Sequence, residues 1–216
     1  MCGRFTSSKP EKIKIDGVHS SDLEGAKPRY NIAPSQQILS VIQTGEGRHA
    51  LYLTWGLIPS WSKEGKGIIN ARSETLLEKP SFRESFKRRR CLIPADGFFE
   101  WKKEGKTKQP YYFQMKDESV FSFAGIWDTW KNDGKEIISC AIITTTPNEL
   151  LSPVHNRMPV ILHPGDFDTW LGSEIKTDDL SDLLRPFPDE YMKGYPVGTN
   201  VNSPSIDNPQ LVEKLQ

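Results

Sequence analysis

The chain has 216 residues, 36% of them apolar, with 16 Gly and 16 Pro, which supports a core but argues for many turns and short strands rather than a helical bundle. Cations and anions number 28 each, yet residues 1–108 carry 20 Lys and Arg against 12 Asp and Glu while residues 109–216 carry 8 against 16, so a zero total hides halves of +8 and −8. No apolar run nears the roughly 18 residues that span a bilayer, and the N-terminus lacks the apolar stretch of a signal peptide, so a soluble, cytoplasmic protein with no membrane partner is expected.

In chain order, Ala50 to Leu57 alternates and stops before Pro59, which predicts a strand followed by a loop through Trp61 to Gly67. Ser81 to Lys87, entered after Pro80 with Phe82 and Phe86 at i and i+4, predicts a short helix. Cys91 to Trp101 reads as one strand interrupted by Pro94, Asp96 and Gly97, followed by a hairpin turn at Glu104 and Gly105 and a return over Gln109 to Met115. Val120 to Trp127 and Glu136 to Thr145 are two further strands, the second apolar enough for the middle of a sheet. Thr146-Pro147-Asn148-Glu149 has the form of an N-cap with Pro at the first helical position. Met158 to Leu162 is strand-like, and Asp166 to Leu171 (ending at Gly172) and Thr177 to Leu184 are brief helices.

Strands follow one another directly and outnumber helices. The expected fold class is therefore α+β, with a largely antiparallel, partly closed, barrel-like sheet and short flanking helices. No internal repeat or linker divides residues 1–216, so one domain is expected.

Three cysteines at wide spacing, Cys2, Cys91 and Cys140, fit neither a disulfide framework nor a four-cysteine zinc site, and the four histidines complete no ligand motif. No metal and no cofactor are expected. Cys91 and Cys140 lie in apolar strand patterns and are expected to be buried. The cations Arg83, Lys87, Arg88, Arg89 and Arg90 read as a solvated helix face running into a strand, and Trp101, Trp127, Trp130 and Trp170 as core or hairpin packing.

Cys2 carries the most chemistry. An initiator methionine is generally removed when the next side chain is small, and removal would leave an α-amine and a thiol on adjacent carbons. Their ordinary pKa values, about 7.7–8.0 and about 8.5, make both nucleophilic forms accessible at neutral pH. Such an aminothiol condenses with an aldehyde to an imine, which the thiol closes to a thiazolidine. It could instead attack an amide carbonyl, as N-terminal-nucleophile hydrolases do. Arg4 places a cation two residues on, Asn70 and Arg72 share one side of an extended segment, Glu100 sits among Phe98, Phe99 and Trp101, and His155 is followed by Arg157. Nucleophile, proton carriers, an orienting amide and cations together suit imine-forming chemistry.

Met1-Cys2-Gly3-Arg4-Phe5, Tyr30 to Gln36, Trp55 to Trp61, Asn70 to Thr75, Arg90 to Trp101 and His155 to Pro159 occur in an order that resembles the SOS-response-associated peptidase (SRAP) family from residue 2 to about residue 203. The resemblance implies recognition of abasic sites in single-stranded DNA, in the DNA-damage and SOS response, and covalent capture of the ring-opened sugar aldehyde as a thiazolidine on the processed N-terminal Cys2. It also implies that Asn70 orients the amine or sugar, that Glu100 moves protons, and that His155 assists ring opening. Arg4, Arg72 and Arg157 match positions that hold phosphates, while Pro34 and Trp61 match residues that stack on or wedge beside bases. A monomer acting in the cytoplasm, on the nucleoid when bound to damaged DNA, is expected. An N-terminal-cysteine peptidase that removes its own Met1 and a non-covalent single-strand binder are the alternatives.

Overall fold

The computed structural model of the protein describes residues 2–172 and 177–215. In chain order the strands are β1 (Arg4–Ser7), β2 (Arg29–Ile32), β3 (Gln37–Thr44), β4 (Gly47–Trp55), β5 (Asn70–Arg72), β6 (Arg90–Ala95), β7 (Gly97–Glu104), β8 (Thr107–Met115), β9 (Phe121–Asn132), β10 (Lys135–Thr145), β11 (Met158–Pro159), β12 (Ile161–Leu162) and β13 (Met192–Pro196). The helices are α1 (Pro80–Arg88), α2 (Phe167–Leu171) and α3 (Thr177–Ser181). The fold is α+β, as expected, and the expected closure is complete for one sheet.

Strands β10, β4, β3, β6 and β9 pair in that order and β9 pairs back to β10, which closes a five-stranded barrel whose one parallel contact is β10 with β4. Outside that ring, β5 and β11 pair with β10, and β12 pairs with β9. A second, wholly antiparallel sheet runs β13–β8–β7–β1–β2.

Side-chain alternation divides the barrel strands between two cores. Ile38, Ile42, Trp55, Cys91, Ile93, Phe123, Cys140 and Ile142 pack with Cys2, Phe5, Phe98 and Phe113 of the second sheet. The alternate set, including Val41, Leu92, Ala124, Ile126, Ala141 and Ile143, packs with Phe82 and Phe86 of α1 and Trp170 of α2. Burial on both faces explains why Ile137 to Ile143 is almost continuously apolar.

Three expectations need correction. Cys91 to Trp101 is two strands in different sheets, because Asp96 turns the chain from β6 into β7 and is held there by Thr6 Oγ1, the Ser8 amide at 2.6 Å and Ser8 Oγ at 2.7 Å. Thr146 to Glu149 forms no helix: Asn148 caps isolated turns instead, its Oδ1 accepting from the Leu151 amide at 3.0 Å while its Nδ2 donates to the Phe187 carbonyl at 2.9 Å. Met158 to Leu162 splits at Val160, whose amide donates to the Ile143 carbonyl at 2.9 Å while its own carbonyl accepts from Ala124 at 2.9 Å, so β11 and β12 join neighbouring barrel strands.

Arg90 departs from the solvated cationic face. It is 4% exposed, and its guanidinium donates to the carbonyls of Phe86 at 2.7 Å, Lys87 at 2.6 Å, Trp170 at 2.6 Å and Gly172. One buried cation thus satisfies the carbonyl ends of α1 and α2. Arg90→Ala is expected to cost on the order of 3 kcal/mol, since those carbonyls stay buried without a donor. A urea midpoint lowered at unchanged slope would register it.

Candidate active site

The strand order brings the N-terminus to the seam between the two sheets. β1 lies between β7 and β2, with Arg4 opposite Phe99 and Phe5 opposite Phe98, a register that brings Cys2 into the shared core next to the level of Glu100. Cys2 is buried, and burial foremost, with Glu100 nearby, holds its thiol far above the usual range. Its Sγ faces the Arg4 carbonyl at 3.9 Å.

β5, held parallel to β10 through Asn70 opposite Ile142, carries Asn70 to the same place. Asn70 Nδ2 donates to the Cys2 carbonyl at 2.8 Å, and its buried Oδ1 has no hydrogen-bond partner among the described residues. That oxygen is an acceptor beside the backbone of Cys2, the kind of group an ammonium satisfies.

Glu100 projects from β7 and is 2% exposed. Burial raises its pKa from 4.5 to about 7, so at neutral pH it divides between acid and carboxylate. His155 Nε2 stands 4.0 Å from Glu100 Oε2, and its Nδ1 is fixed by the Arg157 amide at 3.1 Å. Burial first, and positive charge including Arg157 and Lys108, lower the His155 pKa, which favours the neutral ring. A cavity of about 380 Å³ opens onto these groups, lined by Glu100, Trp101, Lys108, His155 and Asn202.

The cations divide into committed and available ones. Arg4 Nη1 donates to Asn31 Oδ1 at 2.8 Å and the Val201 carbonyl at 2.5 Å, and its Nη2 to the Asn202 carbonyl at 3.1 Å, so it ties the segment around residue 201 beside the cavity. Arg157 is clamped by Glu74 at 2.5 and 2.9 Å and donates to the Thr144 carbonyl at 2.5 Å, an arrangement that holds the Glu74 carboxyl below its ordinary range. A phosphate at Arg157 would have to replace Glu74. Arg72 is exposed and makes no ion pair among the described residues.

Trp61 and Pro34 share no hydrogen bond or ion pair with this cluster among the described residues. Trp61 is 62% exposed on a loop that is firmly mounted. Leu57 and Ile68 exchange backbone bonds at 3.0 and 2.9 Å, Ser60's amide donates to Asp128 at 2.9 Å, and Trp130 Nε1 donates to the Ser62 carbonyl at 2.7 Å. Gly67 is obligatory here, because a Cβ would lie 2.8 Å from the Gly56 carbonyl oxygen. The indole thus presents a flat apolar face to solvent from an ordered loop. Pro34 is half-buried in the bend between β2 and β3, just before Ser35 at φ 69°.

Sequence reasoning assigned no role to Asn31, Glu74, Asp96, Lys108 or Asn202. Asn31 was detectable in principle: a lone amide between Tyr30 and Ile32 must find partners if buried, and its Nδ2 takes the carbonyls of Val201, Ser203 and Ile206 at 3.3, 2.9 and 2.7 Å. No group of three or more His, Cys, Asp and Glu is arranged to hold a metal among the described residues.

Residues 1–204 match the family model for SOS response associated peptidase (SRAP). The chain belongs to the SRAP family. It is 44% identical to abasic site processing protein YoqW of Bacillus subtilis, covering 99% of both chains. It is 29% identical to abasic site processing protein YedK of Escherichia coli, covering all of both. It is also 32% identical to abasic site processing protein HMCES of Xenopus tropicalis, covering 90% of this chain and 68% of that protein. A crystal structure of a Bacteroides thetaiotaomicron protein superimposes with a TM-score of 0.86 at 32% identity over the full length of both. The SRAP match extends through Val201 and Asn202, the carbonyls that Arg4 holds.

Proposed function

We propose that this SRAP protein captures abasic sites in single-stranded DNA covalently, through Cys2 once Met1 has been removed. The observation that carries this reading is the convergence of Cys2, Asn70, Glu100 and His155 at one buried seam beside an open cavity. His155 promotes opening of the abasic deoxyribose to its aldehyde. The Cys2 amine, steadied by Asn70 Oδ1, adds to the aldehyde carbon, and protonated Glu100 gives its proton to the departing hydroxyl, so that water leaves and an imine forms. Cys2 Sγ then bonds to the same carbon of this imine, still protonated on nitrogen, as the C=N electron pair returns to nitrogen and the thiol proton passes to the Glu100 carboxylate, which restores the acid. Aldehyde and aminothiol become thiazolidine and water, and no oxidant is consumed.

Burial suits this sequence. The thiol stays protonated and inert until an imine carbon lies beside it, while Glu100, titrating near neutrality, serves as acid and then as base. The relatives' names as abasic site processing proteins support the substrate. An abasic nucleotide has no base to unstack, so seating the bare sugar costs little. Arg72 supplies a free cation for the backbone and Trp61 a stacking face, the two features that single-strand binding requires.

Incubation with abasic single-stranded DNA is expected to give a heat-stable adduct that the undamaged strand does not give. An adduct absent from both strands would refute the reading. Trp61→Ala is expected to weaken binding of the strand by about 1–3 kcal/mol, measured by fluorescence anisotropy, while the melting temperature stays put because the indole is mostly in solvent.

A further inference from the structure

We propose that the β7–β8 hairpin is a cationic arm that carries the phosphate backbone of the single strand away from the lesion. This rests on the abasic-strand reading and extends it to the path of the flanking DNA. The root of the hairpin holds Glu100 and Trp101, and its outer part is Lys102, Lys103, Glu104, Gly105, Lys106, Thr107 and Lys108, four cations against one anion. Lys103, Glu104, Lys106, Thr107 and Lys108 are all exposed.

The register makes this more than a solvated charge run. Lys103 stands directly opposite Lys108 across the antiparallel ladder, an arrangement that repels where Glu opposite Lys would attract. Glu104, the one carboxylate of the outer hairpin, stands 3.6 Å from Lys102, and Lys103, Lys106 and Lys108 form no ion pair among the described residues. Lys106 occupies a two-residue turn whose first position, Gly105, has φ 61°, the pattern of a tight hairpin that keeps the arm short and stiff. Cations placed against each other on an ordered ribbon lower the stability of the free protein, and a polyanion laid along the ribbon reverses that cost.

Continuity with the site identifies the polyanion. Lys108 belongs to the arm and also lines the cavity with Glu100, His155 and Asn202, so the cationic surface begins at the reacting groups and leads outward. From Glu100 to Glu104 the strand advances about 13 Å at some 3.3 Å per residue, a reach that covers the phosphates next to a seated abasic sugar. A strand whose lesion sits in the cavity must leave it somewhere, and this ribbon is a neighbouring surface whose charge offsets that of the backbone.

The test compares the wild-type full-length protein with Lys103→Gln/Lys106→Gln, both outside the cavity lining. The probes are single-stranded oligonucleotides with a tetrahydrofuran abasic analogue, which lacks the aldehyde, extended on the 5′ or the 3′ side. Wild type is expected to gain affinity as one flank, and not the other, is lengthened. The variant should lose most of that gain, and its slope of log K against log salt should flatten by about 1.4, some 0.7 for each phosphate contact removed from a single strand. An unchanged slope with an unchanged flank gain would overturn the arm, as would a wild-type protein indifferent to both flanks. A gain found only with duplex flanks would overturn its assignment to a single strand. Adduct formation with the aldehyde-bearing strand, scored separately on the same proteins, shows whether the capture chemistry itself stands.

Discussion

Cys2→Ala is expected to eliminate the heat-stable adduct with abasic single-stranded DNA in the absence of a reductant. The variant keeps an N-terminal amine after Met1 removal, so it can still form the imine, but it has no sulfur to close the ring. Borohydride added during incubation should therefore restore a trapped adduct to Cys2→Ala, whereas wild type needs none. Cys2→Ser should behave like the alanine variant or give a weaker product, because a hydroxyl closes a less durable ring. The split between reduced and unreduced samples separates the amine's part from the thiol's, which activity loss alone would not do. A heat-stable adduct that Cys2→Ala forms as efficiently as wild type without reductant would remove Cys2 from the mechanism.

Glu100→Gln should have the second-largest effect, and in two opposite directions. As proton donor and acceptor Glu100 is expected to contribute about 10²–10⁴-fold to the rate, so adduct formation should slow by that order while the intact mass of the variant reports whether Met1 is still removed. Retained Met1 would mean that the same carboxyl also serves removal of the initiator, as the autoprocessing alternative requires. Stability should move the other way. The folded pKa of about 7 lies above the ordinary 4.5, so the folded chain holds a proton that the unfolded chain releases. That preference stabilises the fold in full below about pH 4.5 and is lost as the pH rises through 7, where folding must bury a carboxylate. The interval corresponds to roughly 3 kcal/mol. A glutamine carries no charge at any pH, so Glu100→Gln is expected to exceed wild type by about that amount at pH 8 and to match it near pH 4, as read from denaturant midpoints at the two pH values. Equal stability at both would mean that Glu100 is not a buried acid titrating near neutrality.

Much of the fold was legible where the causes are local. Pro80 and the Phe82–Phe86 spacing specify α1, Gly105 specifies the β7–β8 turn, and the apolar run to Thr145 specifies a strand covered on both faces. What was not legible depends on partners far along the chain. Asp96 breaks β6 from β7 because Thr6 and Ser8 reach it across 88 to 90 residues. Asn148 prefers isolated turns because Phe187 offers its side chain a carbonyl. Arg90 sits in a run of cations that looks solvated, and only the meeting of α1 with α2 gives it four carbonyls to satisfy.

The same division holds at the site. Residue chemistry and order picked out Cys2, Asn70, Glu100 and His155, and their proximity follows from β1, β5 and β7 meeting at one seam. The partners of the cations were hidden. Glu74 on Arg157 and the residue 201–202 carbonyls on Arg4 are tertiary facts, and they leave Arg72 as the uncommitted guanidinium of the three. A phosphate reaching Arg157 would have to compete with Glu74. Glu74→Gln is expected to tighten DNA binding while lowering thermal stability, two effects read by anisotropy and by melting.

Locating the new bond tests capture by Cys2 most directly. Protein whose intact mass confirms loss of Met1 is incubated with abasic single-stranded DNA without reductant, digested, and mapped by mass spectrometry. The expected product is the N-terminal peptide bearing the sugar on Cys2, at the sum of the two masses less one water and unchanged by later borohydride. Attachment at a lysine, or no attachment by the processed protein, would contradict it.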